Sequence, residues 1–153
     1  MSRLQITFPD KIHFTTHQTV RIQDVNYRKH LGHDKIISMI HDARAAFLES
    51  IGESELVDKP DGYVLADMQI IYLDEAFYKD ELRFDIAVDE VSNRSCQIYY
   101  QISKQSSSGQ GPQVITRAKT SVVFYNYQLK SAIPVPESIR TLTTQDETEL
   151  TEA

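Results

Sequence analysis

The chain has 153 residues, 41% of them apolar and 25% charged, which suits one soluble globular domain with a core large enough to need no disulfides or structural metal. The formal net charge is −6, and the segment Glu137 to Ala153 alone carries −4 of it, so the body lacks the basic footprint that non-specific nucleic-acid binding requires. One cysteine, Cys96, excludes an internal disulfide framework and fits a reducing compartment.

The first residues, Met1 to Gln5, have neither the apolar core nor the small-residue cleavage site of a secretory signal. No apolar run approaches the ~20 residues of a membrane-spanning helix. A cytoplasmic protein with no membrane partner is the expectation.

In chain order, Ile12 to Ile22 gives a first strand of irregular pattern. The segment that follows, from Arg21 to Asp34, brings Asp24, Asn26, Tyr27, His30 and His33 into one loop ahead of a helix. The helix is predicted from Asp34 to Ile51, because Ile36, Ile40, Ala43, Phe47 and Ile51 recur at spacings of three and four. Gly52 marks its stop. The period then changes to two. Val64, Ala66, Met68, Ile70 and Tyr72 alternate with Leu65, Asp67, Gln69, Ile71 and Leu73. Leu82, Phe84, Ile86 and Val88 form the next apolar phase, then Cys96, Ile98, Tyr100 and Ile102, and last Val114 to Phe124 in steps of two. The stretch from Asp74 to Asp80, the tight turn Ser92-Asn93-Arg94 and a glycine-bearing loop from Ser106 to Pro112 connect these strands.

The order β-α-β-β-β-β predicts an α+β domain over residues 1–136: a long antiparallel five-stranded sheet with one central helix. Leu65, Ile71, Leu73, Val123 and Tyr125 are expected on the face the helix cannot cover, where a second copy of the chain would pack. Residues 137–153 are polar, Thr-rich and acidic, and read as a mobile tail.

Chemistry concentrates in the loop before the helix. A helix N-terminus offers unpaired N–H groups and the positive end of the dipole, which can stabilise a carbonyl oxygen gaining charge. Asp24 beside it can serve as general base or nucleophile. Asp and Asn in such a place also make ordinary turns and caps. Arg44 on the helix is expected to pair with Asp42 or another nearby acid. Cys96 falls on the apolar phase of its strand and reads as a small core residue. His13, His17 and His41 have no metal-ligand spacing, and no glycine-rich phosphate loop is present.

The element order and these segments resemble the hot-dog-fold acyl-CoA thioesterases of the 4-hydroxybenzoyl-CoA thioesterase type. The resemblance is carried by Asp24-Val25-Asn26, His30-Leu31-Gly32-His33, His41-Asp42-Ala43-Arg44, the run from Asp74 to Leu82, Ser92-Asn93-Arg94-Ser95 and Arg117-Ala118-Lys119-Thr120. It spans roughly Thr19 to Pro136. It implies hydrolysis of an acyl-CoA thioester with no cofactor and no metal. It also implies a homodimer or homotetramer, with the acyl group in a tunnel between sheet and helix at a dimer interface.

With the family's acid position occupied by Asn26, Asp24 is the nearest remaining carboxylate and the one expected to activate water or attack the thioester. Asn26 positions water, and His30 orients the thioester or the Asp24–Asn26 pair. The backbone near Gly32 and His33 polarises the carbonyl. Tyr27, Gly32, Arg94, Ser95 and Lys119 become substrate contacts, with Lys104 also on the rim. One departure stands out: the family's usual catalytic acid is the second of the pair, which here is Asn26, and an amide cannot act as a base. That departure leaves a non-catalytic acyl-CoA or acyl-chain binder as the alternative.

Overall fold

The computed structural model describes residues 4–106 and 109–152, with side chains described through residue 144. Five long strands are present: β1 (Phe14–Thr19), β2 (Asp61–Tyr72), β3 (Glu81–Asp89), β4 (Ser95–Gln105) and β5 (Pro112–Asn126). Helix α1 (His33–Ser50) lies between β1 and β2, a two-residue β6 (Ser131–Ala132) follows β5, and helix α2 (Glu137–Glu152) ends the chain. The sheet runs β1-β3-β4-β5-β2 with every neighbouring pair antiparallel, and β6 pairs with the end of β5. The first strand is shorter than its sequence suggests, because Ile22 to Asp24 turn into a short 3-10 helix.

Helix α1 forms where the three-four spacing predicts it. Ile36, Met39, Ile40, Ala43, Phe47 and Leu48 make its buried stripe. Phe47 is fully buried and meets the ring of Phe14 on β1 at 5.7 Å. Gly52 ends the helix at φ +83°, a left-handed conformation that costs glycine little. Beneath the helix, Leu82, Phe84, Ile86 and Val88 of β3, Cys96, Ile98, Tyr100 and Ile102 of β4, and Ala118, Val122 and Phe124 of β5 form one continuous core. Burial pushes the Cys96 thiol up to about 12, so it stays protonated and inert.

Strand β2 departs from simple alternation. Its register against β5 slips between Leu65 and Asp67, a bulge that absorbs Ala66. One extra residue switches the phase, so Tyr63 and Leu65 share a face with Phe124 and Val122, as Met68, Ile70 and Tyr72 do with Thr120, Ala118 and Thr116. Leu65 therefore belongs to the helix side of the sheet, not the outer side. The outer face is also less bare than expected: Ile6 of the N-terminal segment is buried there against Ala87 and Tyr99, flanked by Phe8 and Ile71.

Arg44 turns inward, and the acid it meets is Glu55 and not Asp42. Its Nε donates to Tyr63 Oη at 2.8 Å and its Nη1 to Tyr100 Oη at 3.3 Å, and Nε lies 3.9 Å from Glu55 Oε1. Tyr100 Oη is 2.9 Å from Thr120 Oγ1. Burial works against the guanidinium charge, but Tyr100 and Tyr63 outweigh it and hold the Arg44 pKa above its ordinary value.

The segment expected to be a tail is helix α2, whose Ile139 is 0% exposed and belongs to the main core. Leu142 packs against the same core. Ala153 lies outside the described residues. Among the described residues no helix is long and apolar enough to cross a membrane.

Candidate active site

The loop between β1 and α1 is built by two local devices. Asn26 opens a turn in which its backbone O accepts Lys29 N at 2.9 Å and its Oδ1 accepts Arg28 N at 3.0 Å. Lys29 takes φ +70° to close it. The side-chain bond is the usual reason Asn serves in turns, and with Oδ1 engaged the two N–H donors of its amide remain. The returning strand of the loop is then held on both sides: Asn26 N donates to His30 O at 3.0 Å, and Leu31 N donates to Ala76 O at 2.8 Å.

Helix α1 starts at His33, with Gly32 as its N-cap and no side chain capping it. Gly32 is buried, and a Cβ there would meet Asp34 Oδ1 at 2.7 Å. Asp34 sits in the first turn, where its charge suits the helix dipole. Tyr72 at the end of β2 donates its hydroxyl to His33 O at 3.0 Å, and its ring meets the His33 ring edge-on at 6.5 Å. Burial, with Asp34 nearby, holds the Tyr72 pKa above its ordinary value and keeps that hydroxyl a donor.

These elements surround a cavity of about 220 Å³ lined by Asn26, His30, Leu31, Gly32, His33, Ile36, Tyr72, Asp74, Glu75, Ala76, Ile115 and Thr116. Its floor is apolar and its rim polar. His30 Nε2 lies 3.6 Å from Glu75 Oε1, an ion pair when the ring is protonated, and the His30 ring meets Phe77 edge-on at 6.4 Å. Lys104 braces the Glu75 segment: its Nζ donates to Glu75 O and lies 3.7 Å from Asp80 Oδ2.

The cavity thus gathers four of the sequence candidates, Asn26, His30, Gly32 and His33. Asp24 is not with them. Its carboxylate, in a residue only 3% exposed, accepts the backbone N–H of Arg21 at 2.9 Å and Arg21 Nε at 3.3 Å. It lines a different cavity, with Gln18, Arg21, Lys35, Ser38 and Asp42. What Asp24 gives the site is its backbone O, which accepts Gly32 N at 3.0 Å. Tyr27 is 89% exposed at the loop tip, under the Arg28 guanidinium.

The remaining candidates are distant. Lys119 lies on the outer face of the sheet, its Nζ 5.9 Å from the centre of the Tyr99 ring. Arg94 and Ser95 stand at the far end, where Ser95 pairs with Val123 while the cavity is at Thr116. Seven residues of strand separate them, about 23 Å. That far end holds a larger cavity, about 730 Å³, lined in part by Glu53, Glu55, Tyr63, Leu65, Phe124 and Tyr127. Its apolar wall includes the exposed inner side of β2, and Pro136 at the start of α2 also lines it, but its lining residues include no histidine. The smaller cavity is the one that brings His30 and His33 together with the Asn26 amide and the start of α1.

Sequence reasoning did not single out Glu75 as a site residue. Its contact with His30 joins residues 45 apart in the chain, and only its place in the Asp74 to Leu82 segment pointed toward it. Among the described residues no group of three or more His, Cys, Asp or Glu is arranged to hold a metal ion.

Residues 20–142 match the family model described as the thioesterase-like superfamily. No curated protein sequence matches. Many solved structures share the fold. A Pseudomonas aeruginosa protein of presumed thioesterase activity aligns at TM-score 0.79 and 20% identity, over 87% of this chain and 99% of that one. A Synechocystis 1,4-dihydroxy-2-naphthoyl-CoA thioesterase aligns at 0.72 and 21%, over 84% and 93%. The 4-hydroxybenzoyl-CoA thioesterase of Pseudomonas sp. strain CBS-3 aligns at 0.72 and 18%, over 84% and 97%. The α+β architecture is the hot-dog fold of these proteins.

Proposed function

The chain belongs to the thioesterase-like superfamily, and from that premise we propose that it hydrolyses an acyl-CoA thioester with His30 as general base. The observation that carries this reading is the convergence of the His30–Glu75 pair, the Asn26 amide and the uncapped start of α1 around one apolar-floored cavity.

The acyl group lies on Leu31, Ile36, Ala76 and Ile115. The thioester oxygen faces the first N–H groups of α1 and the Asn26 amide, where developing negative charge is stabilised. Glu75 faces Nε2 of His30, so Nδ1 is the nitrogen left to take a proton from water. The hydroxide so formed adds to the carbonyl carbon. Collapse breaks the C–S bond, and the imidazolium, stabilised by Glu75, returns its proton to the leaving thiolate. The products are a free thiol and a carboxylic acid, which gives its proton to solvent and leaves as the carboxylate. Asp24 braces the loop and takes no proton.

The working unit is at least a dimer. β2 is an edge strand twelve residues long, with no proline and with Leu65 41% exposed and Tyr72 46% exposed on its helix side. An open apolar edge of this kind is a template for pairing, and two copies meeting antiparallel about the middle of β2 close it. That pairing sets the Asp61 end of one strand beside the Tyr72 end of the other. The partner's β3–β4 turn then lies about three strand spacings, about 14 Å, from the cavity, closer than the 23 Å within one chain. Arg94 and Ser95 so become contacts for the phosphates of CoA bound across the interface. The reading carries with it a cytoplasmic location.

A panel of short, long and aromatic acyl-CoAs, followed by release of free thiol, tests the activity. His30→Ala should lower kcat by about 10²-fold or more on whichever substrate turns over. The binder reading has one observation in its favour, the amide at Asn26. Tight acyl-CoA binding with no thiol release across the panel would select it.

A further inference from the structure

We infer that Arg140, on the first turn of α2, is a positioning residue for the nucleotide end of CoA, acting through the turn at residues 92–95. The inference rests on the reading of Arg94 and Ser95 as CoA contacts and goes beyond it, because Arg140 itself touches no substrate.

The carbonyls of this turn are all held by the fold. Ser95 O accepts Ser92 N at 2.8 Å, and Arg94 O accepts Phe124 N at 2.9 Å. Asn93 O accepts Val135 N at 3.0 Å and Arg140 Nη2 at 3.3 Å. Ser92 O accepts Arg140 Nη2 at 3.0 Å. One guanidinium therefore grips two successive carbonyls. With its carbonyls drawn inward, the turn offers the exposed Arg94 side chain and the Ser95 hydroxyl, which is fixed 2.7 Å from Ser92 Oγ.

Two physical points single Arg140 out. An unsatisfied carbonyl oxygen repels a phosphate, and a cation bonded to it removes that repulsion while adding positive potential. In addition, a cation in the first turns of a helix sits at the wrong end of the dipole, so helix formation does not explain Arg140. Its anchorage is firm: its neighbour Ile139 is fully buried, and Ser138 Oγ donates to Glu53 Oε1 at 3.0 Å.

Calorimetric titration with free CoA and with free pantetheine, which lacks the nucleotide and its phosphates, tests this. Arg140→Ala should weaken CoA binding about tenfold or more and leave pantetheine binding unchanged. Arg140→Gln, which drops the charge but keeps an N–H donor for Ser92 O, should recover part of the loss. Equal weakening of both ligands would overturn the positioning role. Arg94→Ala separates the two levels. If it weakens CoA binding while Arg140→Ala does not, the inference fails and the CoA reading of the turn survives. If neither Arg94→Ala nor Ser95→Ala affects CoA, that reading fails and takes the inference with it.

Discussion

Asp24→Asn decides between two accounts of the loop. In the structure the Asp24 carboxylate accepts the Arg21 backbone N–H and the Arg21 Nε, and it lines a cavity other than the one holding His30. The backbone bond is a cap contact worth about 1 kcal/mol. The Arg21 guanidinium side of the pair is 65% exposed, so that ion pair contributes less than about 1 kcal/mol. Asparagine keeps an acceptor for the cap but brings an N–H₂ group into a site 3% exposed, and a buried donor without a partner costs about 1–3 kcal/mol. The variant should therefore be about 1–3 kcal/mol less stable, a drop in Tm on the order of 2–4 °C per kcal/mol for a chain of this size. Its kcat should fall by far less than the ~10² expected on removing a general base. Thermal unfolding and acyl-CoA kinetics on one preparation give both numbers. An unchanged Tm with a hundredfold loss of kcat would refute the argument and restore Asp24 as the catalytic carboxylate, at the expense of His30.

Two further outcomes are expected. Ile139→Ala should cost about 2–5 kcal/mol in chemical denaturation, because the side chain is fully buried in the main core; a cost below about 1 kcal/mol would mean that α2 is only loosely docked. Light scattering at micromolar concentration should give the mass of two chains or more, and Leu65→Asp, which sets a charge on the open inner side of β2, should shift it toward one chain and lower activity; a monomeric parent protein would remove the dimer reading.

Helix α1 was legible in the sequence because its six buried apolar positions follow one period with nothing competing. The inner faces of β3, β4 and β5 were legible for the same reason at a period of two. The face of β2 was only partly so. Its pattern continues smoothly through Ala66, and nothing in the residue types signals that one of them drops out of register; the bulge is decided by pairing with β5. Helix α2 was missed because its described part buries little beyond Ile139 and Leu142, too few for a stripe to stand out among threonines and acids. For Arg44 the sequence pointed to a nearby acid, and Glu55 is that acid where Asp42 is not, but the hydrogen bonds to Tyr63 and Tyr100 come from two distant strands and could not be read locally.

The sequence pointed to the loop that lines the proposed site, but not to which of its side chains face the cavity. Two residues apart in an extended chain, Asp24 and Asn26 would share a side. The 3-10 turn at Ile22–Asp24 breaks that rule and turns the two apart. The cavity already has Asp74 and Glu75 on its rim and Asp34 at the helix start. On the proposed mechanism, a further carboxylate at position 26 would add like charge beside the tetrahedral oxyanion. An amide there donates hydrogen bonds without that repulsion, and the proton can go to an imidazole with its own carboxylate partner. The residue that departs from the family's acid is therefore compatible with hydrolysis, provided that His30 is the base. The same substitution that weakens the case for a carboxylate mechanism is what gives the His30–Glu75 pair a role.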